Sequence, residues 1–221
     1  MTTPELAILD VLARASGLPP LATAVAHPCD EPSLAAVLAA RDRGLVAPIL
    51  VGPEGKIRSL AAAAGLDLAG IPIRDVPHSH ASAARAVELV RRAEVGAIMK
   101  GSLHTDELLG EVVRTDTGLR TARRISHVFV MQVPGLERLL LVTDAAVNIA
   151  PGLEEKADIV QNAIDLALAL GVSQPRVAIL SAVETVTSKL RSTIDAAALC
   201  KMADRGQITG GLLDGPLAFD N

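Results

Sequence analysis

Aromatic side chains are nearly absent from this sequence of 221 residues, which contains no Trp, no Tyr and only two Phe. Proteins that bind single-stranded nucleic acids stack the bases on aromatic rings, so a stacking platform of that kind is excluded. The formal net charge of -4 argues in the same direction, because nucleic acids require a basic surface. We therefore expect no nucleic-acid partner.

Cysteine is scarce as well, and Cys29 and Cys200 lie far apart without the spacing of metal ligands. Two isolated thiols are typical of a cytoplasmic protein without disulfides. No apolar run approaches the roughly 20 residues that span a bilayer. The first segment carries Glu5 and Asp10 instead of the basic and then apolar pattern of a signal peptide. We therefore predict a soluble, cytoplasmic protein that does not enter a membrane.

Half of the residues are hydrophobic, which is typical of a globular chain, and the length fits one large domain or two small ones. Up to Val113, short apolar strand-like segments alternate with helix-like ones. The strand-like segments cover residues 22–27, 46–51, 71–76 and 96–99. Because βα repeats with continuously apolar strands build parallel sheets covered on both faces, we predict an α/β domain over residues 1–120.

The pattern of segments changes near residue 120, where we place the boundary to a second α/β domain, residues 121–221. A Pro-Gly turn between two apolar segments predicts an antiparallel hairpin, and Gly171 is expected to cap the helix before it in a left-handed conformation. The predicted strands cover residues 125–133, 138–142, 176–181 and 208–213, and the predicted helices cover residues 154–170 and 193–204.

A first candidate site follows the fourth strand, in the segment Lys100-Gly101-Ser102-Leu103-His104-Thr105. Gly101 allows the backbone to turn sharply, and hydroxyls precede a predicted helix. Free N–H groups at the helix start, together with Lys100 and Ser102, would hold an anion such as phosphate. The alternative is an ordinary helix start that Ser102 or Thr105 caps.

Two further candidate sites contain polar residues directly after predicted strands. Asp144 and Asn148 follow an apolar strand and could fix hydroxyls, a phosphate-bound water or the backbone, although turn chemistry alone would explain one of them. Ser181 and Glu184 lie in a hydroxyl-rich loop, for which a solvated loop without function is an equally good interpretation.

The sequence ends on a glycine-rich segment with two carboxylates, Asp214 and Asp220, after the predicted last strand. Loops after the strands of α/β sheets are the usual place for chemistry, whereas chain ends are normally exposed and loosely held. We therefore expect Asp214 and Asp220 to belong to a site, and the sequence to be part of a longer protein.

Several familiar sequence motifs are absent. Residues 52–56 lack the spacing and the hydroxyl of a phosphate-binding P-loop. No Gly-x-Gly-x-x-Gly follows a strand, which leaves a dinucleotide site unsupported. His78 and His80 flank a serine without a third ligand in view, so we expect no metal site.

Five segments together resemble the phosphate acetyltransferase and phosphate butyryltransferase family. They read Lys-Gly-Ser-Leu-His-Thr, Thr-Gly-Leu-Arg, Ser-His-Val, Thr-Asp-Ala-Ala-Val-Asn and Asp-Gly-Pro-Leu-Ala-Phe-Asp, at residues 100–105, 117–120, 126–128, 143–148 and 214–220. The resemblance runs in order from near residue 20 to the last residue. It looks closest to the butyryltransferase-like branch, which includes the domain fused to an enoyl-CoA hydratase module in some bacterial proteins.

This resemblance implies reversible transfer of an acetyl- or butyryl-type group between coenzyme A and inorganic phosphate. It also implies two α/β domains with the substrate cleft between them, in a fold like that of the isocitrate and isopropylmalate dehydrogenases. A homodimer formed mainly through the second domain is a further implication. Coenzyme A and phosphate are substrates of this reaction, and no cofactor is implied.

The implied reaction sets the chemical requirements of the site. A thiol that attacks an acyl phosphate must lose its proton, so the site needs a base, groups that hold anions and a donor to the developing oxyanion. We expect the acid–base chemistry from Asp144, Asp214 and Asp220. Substrate binding is expected from the other polar residues and the turn glycine of these segments: Lys100, Gly101, Ser102, His104, Thr105, Thr143, Asn148, Ser181 and Glu184.

The sequence departs from the family pattern at two places. The serine-arginine pair and the aspartate credited with the family's chemical step lie beyond the last residue of this chain, so we expect a C-terminally truncated chain that is inactive by itself. Gly110 stands where the family carries a substrate-binding arginine. The candidates to replace it are Arg114, Arg120, Arg123 and Arg124.

Two alternative functions remain open beside this interpretation. One is a module that binds coenzyme A or phosphate but has lost catalysis, as the glycine at position 110 would suggest. The other is a related acyltransferase with a different acyl donor.

Overall fold

The structure is a computed structural model that describes residues 7–219, and the chain divides into two compact units. Ala13–Thr121 form one unit, termed the N-terminal unit. Ala122–Asn221 form the other, the C-terminal unit, together with Met1–Leu12. The described residues before Ala13 thus group with the later unit, whereas the predicted first domain covers residues 1–120.

The N-terminal unit contains a four-stranded parallel sheet. The first described helix is α1 (Ile8–Ser16), and the strands that follow are β1 (Leu21–Ala26), β2 (Val46–Gly52), β3 (Ile73–Asp75) and β4 (Ala97–Lys100). Their order in the sheet is β3-β2-β1-β4, and all neighbours run parallel. The predicted parallel sheet of an α/β fold is confirmed.

Helices pack against this sheet through two buried clusters. These helices are α2 (Glu31–Asp42), α3 (Glu54–Ala63), α4 (Ser79–Arg91) and α5 (Thr105–Val112). Successive side chains of a strand point to opposite faces, and β1 buries both of its faces. Val25 packs in one cluster with Leu34 of α2, while Ala26 packs in the other with Ala86 of α4.

The strand order reverses at β1, because β2 pairs with one of its edges and β4 with the other. In open α/β sheets, ligands bind at the carboxyl ends of the strands where the order reverses. The last residues of β1 and β4, Ala26 and Lys100, are direct neighbours. The segments that follow them, from His27 and from Gly101, therefore occupy the preferred position for a site.

The helices that start at this edge of the sheet are capped in different ways. The carboxylate of Asp30 accepts the N–H of Ser33 at 2.9 Å and caps α2. The N-cap of α5 is His104, whose side chain makes no capping hydrogen bond. The predicted cap by Ser102 or Thr105 is therefore wrong, because Thr105 is already the first helical residue and Ser102 lies two residues before the cap.

The C-terminal unit combines a hairpin, two helices and a parallel strand pair. Its elements are β5 (Val128–Gln132), β6 (Leu139–Thr143), α6 (Leu153–Ala169), β7 (Arg176–Leu180), α7 (Arg191–Asp204) and β8 (Leu212–Leu217). β5 and β6 are antiparallel, as predicted, and β7 and β8 are parallel. Gly171 has a φ of +97°, which confirms the left-handed cap after α6. Within residues 7–219, no helix is long and apolar enough to cross a membrane.

The last strand differs from its prediction over residues 208–213. Gly206 and Gly210 have φ values of +73° and +85°, so the backbone turns twice before the strand begins. Ile208 lies between these turns and is buried beside Leu199 of α7. As a result β8 begins at Leu212, and Asp214 lies within this strand instead of in a loop after it.

Candidate functional site

Lys100 ends strand β4, and its side chain folds back over the loop that follows. Its Nζ donates hydrogen bonds to the carbonyl oxygen of Leu103 at 2.8 Å and to that of Gly101 at 3.2 Å. An ammonium group has three N–H donors, so two of them hold the loop in shape. Lys100 thus organises the segment before α5 besides adding positive charge to it.

Gly101 occupies a place where any side chain would collide with the end of β1. A Cβ atom there would lie 2.7 Å from the carbonyl oxygen of His27 and 2.8 Å from that of Ala26. The N–H of Gly101 donates to Ala26 at 2.9 Å, and the N–H of Ser102 donates to His27 at 2.8 Å. These two N–H groups are therefore taken by the protein, which leaves those of the first turn of α5 for an anion.

The start of α5 is surrounded by exposed polar side chains. Ser102, His104 and Thr105 are all exposed, and no side chain caps the helix. N–H groups in the first turn of a helix lack partners within the helix and carry the positive end of its dipole. An oxyanion can be bound there by these N–H groups together with the two hydroxyls.

Asp30 adds a negative charge beside the same loop, at the start of α2. Hydrogen bonds from Ser33 hold the pKa of Asp30 below its usual range, and the Ser102 hydroxyl and the charge of Lys100 lower it further. Asp30 is therefore ionised at neutral pH and balances part of the Lys100 charge.

His27 is a further residue of this site, although in the sequence it is only the end of an apolar strand. Its φ of +54° is a left-handed conformation, which is uncommon outside glycine. The ring Nδ1 lies 3.2 Å from the hydroxyl of Ser82 in α4, 55 residues later in the chain. Partial burial, and then the charge of Lys56, lower the pKa of His27 below its ordinary value of 6.5.

Glu107 contributes a buried carboxylate oxygen in the first turn of α5. This Oε2 atom has no hydrogen-bond partner among the residues that the structure describes. Its negative charge raises the pKa of His27 and so partly opposes the effect of burial. In the sequence, Glu107 shows only the acidic first turn that many helices share.

The arginines that could replace the one missing at Gly110 differ in their partners. Three form ion pairs: Arg114 with Asp116 at 3.1 Å, Arg123 with Asp165 at 2.5 Å and Arg124 with Glu155 at 2.6 Å. Arg120 is exposed and has no ion pair or hydrogen bond with any residue between 7 and 219. It is therefore the candidate whose guanidinium group is open to a ligand.

Asp144 directly follows β6, and its carboxylate is surrounded by N–H donors. It accepts hydrogen bonds from the backbone of Asn148 at 2.9 Å, of His127 at 3.0 Å and of Val147 at 3.3 Å. Burial raises the pKa of Asp144, but the bonds from Asn148, His127 and Val147 outweigh it and hold the pKa below its usual value. Such a carboxylate is a poor proton acceptor. The geometry favours a loop anchor over an acid–base group.

Thr143 and Asn148 belong to the same hydrogen-bonded group. The side-chain amide of Asn148 donates to the carboxylate of Asp144, and its Oδ1 accepts from Nε of Arg124 at 2.7 Å. The hydroxyl of Thr143 donates to the carbonyl oxygen of His127 at 2.7 Å. The structure thus brings three predicted site residues together and adds the positive charge of Arg124.

The other predicted residues of the C-terminal unit lie in different places. The hydroxyl of Ser181, after β7, lies 2.7 Å from that of Ser192 in α7. Glu184 is exposed in the loop between these elements, and Asp214 is exposed within β8. Asp220 lies outside the described residues.

Comparison with known proteins identifies relatives over nearly the whole chain. The family model described as phosphate acetyl/butaryl transferase matches residues 79–221. The phosphate acetyltransferase of Rhizobium meliloti is 64% identical, over 96% of this chain and 67% of that protein. The one of Rickettsia felis is 55% identical, over 96% of this chain and 61% of that protein. The phosphate butyryltransferase of Clostridium acetobutylicum is 44% identical, over 89% and 65% respectively.

Solved structures show the same fold. The crystal structure of a branched-chain phosphotransacylase from Enterococcus faecalis V583 has a TM-score of 0.73 and 26% identity, over 90% of this chain and 69% of that one. A phosphotransacetylase from Streptococcus pyogenes has a TM-score of 0.79 at 17% identity, over 97% of this chain and 74% of that one. At this identity the likeness supports the fold alone. The chain spans 61% to 67% of the length of the sequence relatives named above.

Proposed function

This chain belongs to the phosphate acetyl/butaryl transferase family, and we propose that it transfers an acyl group reversibly between coenzyme A and inorganic phosphate. The main support for the proposal is the match of the family model to residues 79–221. This region contains the loop organised by Lys100 and the hydrogen-bonded group around Asp144.

The proposal concerns the whole protein, because the relatives are longer than this chain of 221 residues. We propose that these residues by themselves are inactive, because they correspond to only 61% to 67% of the length of the relatives named above. The likeness of the fold to the isocitrate and isopropylmalate dehydrogenases stays a prediction of the resemblance.

We propose acetyl as the acyl group. Identity to the acetyltransferase of Rhizobium meliloti is 64%, against 44% to the butyryltransferase of Clostridium acetobutylicum. A related acyltransferase with a different acyl donor is the alternative, and a series of acyl phosphates of increasing chain length would distinguish the two.

Phosphate, or the phosphoryl part of the acyl phosphate, is proposed to bind at the start of α5. The exposed hydroxyls of Ser102 and Thr105 and the uncapped first turn supply donors of the kind that oxyanions require. Lys100 contributes its charge and shapes the loop. Arg120, exposed and without a partner in the described chain, is proposed to replace the arginine missing at Gly110.

In the C-terminal unit we propose that Asp144 and Asn148 fix the loop after β6, so that Arg124 presents its charge in one position. Asp214 and Asp220 keep their predicted acid–base role, and Ser181 and Glu184 their predicted role in substrate binding. The reaction requires neither a metal nor a redox cofactor, because the acyl phosphate itself supplies the leaving group.

We further propose a homodimer. One face of the hairpin carries four large apolar side chains in two cross-strand pairs, Phe129 with Val142 and Met131 with Leu140. They are 36% to 48% exposed, and contiguous apolar faces of this kind mark interaction sites. A second copy of this chain is the proposed occupant. Met131→Glu should shift the sedimentation coefficient toward the monomer, whereas Ile149→Glu, at an isolated exposed apolar side chain, should not.

A cytoplasmic location is proposed as well. Both cysteines are free thiols, and Cys29 is buried. Unpaired thiols are typical of a reducing compartment. Fractionation of the source cells with an antibody against the chain would test this directly.

The activity is tested in the full natural chain, with acetyl phosphate and coenzyme A as substrates and acetyl-CoA formation as the readout. We expect turnover without added cofactor. Calorimetric titration with coenzyme A separates the alternatives, since binding without turnover would identify a binding module that has lost catalysis. Absence of both would overturn the proposal.

A further inference from the structure

The connection between β7 and α7 contains a run of exposed residues, 182–186, termed the tip loop. Glu184 and Thr185 form no hydrogen bond or ion pair with any residue between 7 and 219. Val183 and Val186 on either side of them are 40% and 56% exposed. The tip loop therefore presents a carboxylate, a hydroxyl and two apolar side chains to the solvent.

Both ends of the tip loop are fixed by consecutive residues in the first turn of α7. At the first end, the hydroxyl of Ser181 lies 2.7 Å from that of Ser192, and the N–H of Ser181 donates to the carbonyl oxygen of Leu217 at 2.9 Å. At the second end, Oγ1 of Thr193 accepts the N–H of Thr187 at 3.0 Å and lies 2.9 Å from the carbonyl oxygen of the same residue. Two neighbouring hydroxyls of one helix thus hold the loop at both of its ends.

Thr193 is the buried one of these two anchors. Its exposed fraction is 0%, and its hydroxyl also reaches the carbonyl oxygen of Leu190 at 2.8 Å. Burial of a hydroxyl costs free energy unless the group is hydrogen-bonded, and this one has partners both as donor and as acceptor. A solvated loop without function needs no such anchor. A binding loop benefits from it, because a loop that is already ordered loses less conformational entropy when a ligand binds.

The tip loop begins at the carboxyl ends of the parallel strands β7 and β8. Leu180 and Leu217, at the ends of these strands, are paired, and ligands of open α/β sheets bind outside this edge. Asp220, for which an acid–base role is proposed, follows Leu217 closely in the sequence. Because the thiol of coenzyme A must react beside the acid–base group, the part of coenzyme A expected at this edge is the part that bears the thiol.

We infer that the tip loop binds the pantetheine arm of coenzyme A and that Ser192 and Thr193 position it, an inference that rests on the proposed function. The arm is uncharged, and its amide and methyl groups lead to the thiol. Glu184 accepts an amide N–H of the arm, and Val183 and Val186 cover its methyl groups. The nucleotide half of coenzyme A carries phosphates, which the negative charge of Glu184 would repel.

The test measures the steady-state constants of Glu184→Ala in the full natural chain, with acetyl phosphate and coenzyme A as substrates. We expect the Michaelis constant for coenzyme A to rise about tenfold, with kcat and the Michaelis constant for acetyl phosphate within about twofold of the wild type. The inhibition constant of adenosine bisphosphate, the nucleotide half without the arm, should not change. Glu137→Ala is the matched control, at an exposed carboxylate in the turn between β5 and β6, and should leave all of these constants unchanged.

The positioning role is tested by Thr193→Val and Thr193→Ser. Valine keeps the shape of threonine without its hydroxyl, whereas serine keeps the hydroxyl. Thr193→Val should raise the Michaelis constant for coenzyme A about tenfold at an unchanged kcat, because the loop must then be ordered on binding. Thr193→Ser should restore the wild-type value. If Thr193→Val does not fold, Ser192→Ala tests the other end of the loop, with a rise of about threefold expected.

The outcomes separate this inference from the proposed function. An active wild type with equal Michaelis constants for coenzyme A in Glu184→Ala and Glu137→Ala overturns the binding role of the tip loop alone. A raised inhibition constant of adenosine bisphosphate in Glu184→Ala would assign the loop to the nucleotide and overturn the site for the arm. Equal constants for Thr193→Val and Thr193→Ser overturn the positioning role. A wild type that forms no acetyl-CoA overturns the proposed function, and the inference with it.

Discussion

Asp144 and Asn148 are joined by two hydrogen bonds, one from the backbone N–H of Asn148 at 2.9 Å and one from its side-chain amide. The same carboxylate accepts the N–H of His127, which lies 17 residues earlier in the chain. The Asp144 side chain therefore ties the loop after β6 to His127, the residue just before β5.

Replacing this carboxylate by an amide should loosen the loop. In Asp144→Asn one oxygen becomes a donor that faces other donors, which should reduce the free energy of unfolding by about 1–3 kcal/mol. Because the pKa of Asp144 is lowered in the fold, its contribution is complete above the ordinary value of 3.8 and is lost as the pH falls through the folded value. Urea unfolding at neutral and acidic pH measures both effects.

The control for this variant is Asp204→Asn, at an exposed carboxylate paired with Lys201. It should change the free energy of unfolding by less than about 0.5 kcal/mol. Equal destabilisation by the two substitutions would contradict the role of Asp144 as an anchor.

Removal of the Lys100 ammonium should weaken phosphate binding. Lys100→Ala loses a positive charge and the two hydrogen bonds to Gly101 and Leu103 that shape the loop. We expect the Michaelis constant for phosphate to rise about tenfold or more, since a hydrogen bond to a charged group contributes about 1.5–3 kcal/mol. Initial rates of the full natural chain in the direction of acetyl phosphate formation provide the measurement. An unchanged dependence on phosphate would refute the assignment.

The exposed guanidinium of Arg120 should contribute more to binding of a phosphate-bearing substrate than the guanidinium of Arg114. Arg114 is bonded to Asp116 through two nitrogens, at 3.1 and 3.2 Å, and that pairing lowers the pKa of Asp116 to about 2. Arg120→Ala should therefore raise the Michaelis constant of a phosphate-bearing substrate about tenfold, and Arg114→Ala by less than about twofold. Similar steady-state constants for both variants would mean that Arg120 does not replace the missing arginine.

The ion pair between Lys156 and Asp195 should stabilise the packing of α6 against α7. Nζ of Lys156 lies 2.6 Å from a carboxylate that is only 8% exposed. Lys156→Met leaves this carboxylate buried with a distant, exposed Arg191 as its remaining partner. We expect a loss of about 2–3 kcal/mol in the free energy of unfolding.

The exposed pair of Lys201 and Asp204 on α7 is the comparison for this prediction. Lys201→Met should cost less than about 0.5 kcal/mol, because solvent screens an exposed pair. In thermal and urea unfolding, Lys156→Met should have a clearly lower free energy of unfolding than Lys201→Met. The reverse order would show that the buried pair is dispensable.

Local patterns in the amino-acid sequence were enough to specify most of the helices and strands. Continuous apolar strands separated by helices specified the parallel sheet, since such strands are stable only when both faces are covered. The Pro-Gly turn specified the hairpin, and Gly171 specified the end of α6, because its left-handed backbone suits a residue without Cβ. The loop after Lys100 was also visible, since a lysine, a glycine and hydroxyls between a strand and a helix form a local signal.

Which polar groups meet, in contrast, depends on the packing of elements that are distant in the chain. His27 and Ser82 are 55 residues apart and become partners because β1 and α4 pack together. The direction of the Lys100 ammonium depends on nearby carbonyl oxygens, and β8 begins at Leu212 because Ile208 is drawn into the core. A hydrogen bond needs its atoms within about 3 Å, and the spacing of residues along a chain does not encode such distances. The fold of this protein was therefore largely predictable from periodicity, whereas the contact between His27 and Ser82 was not.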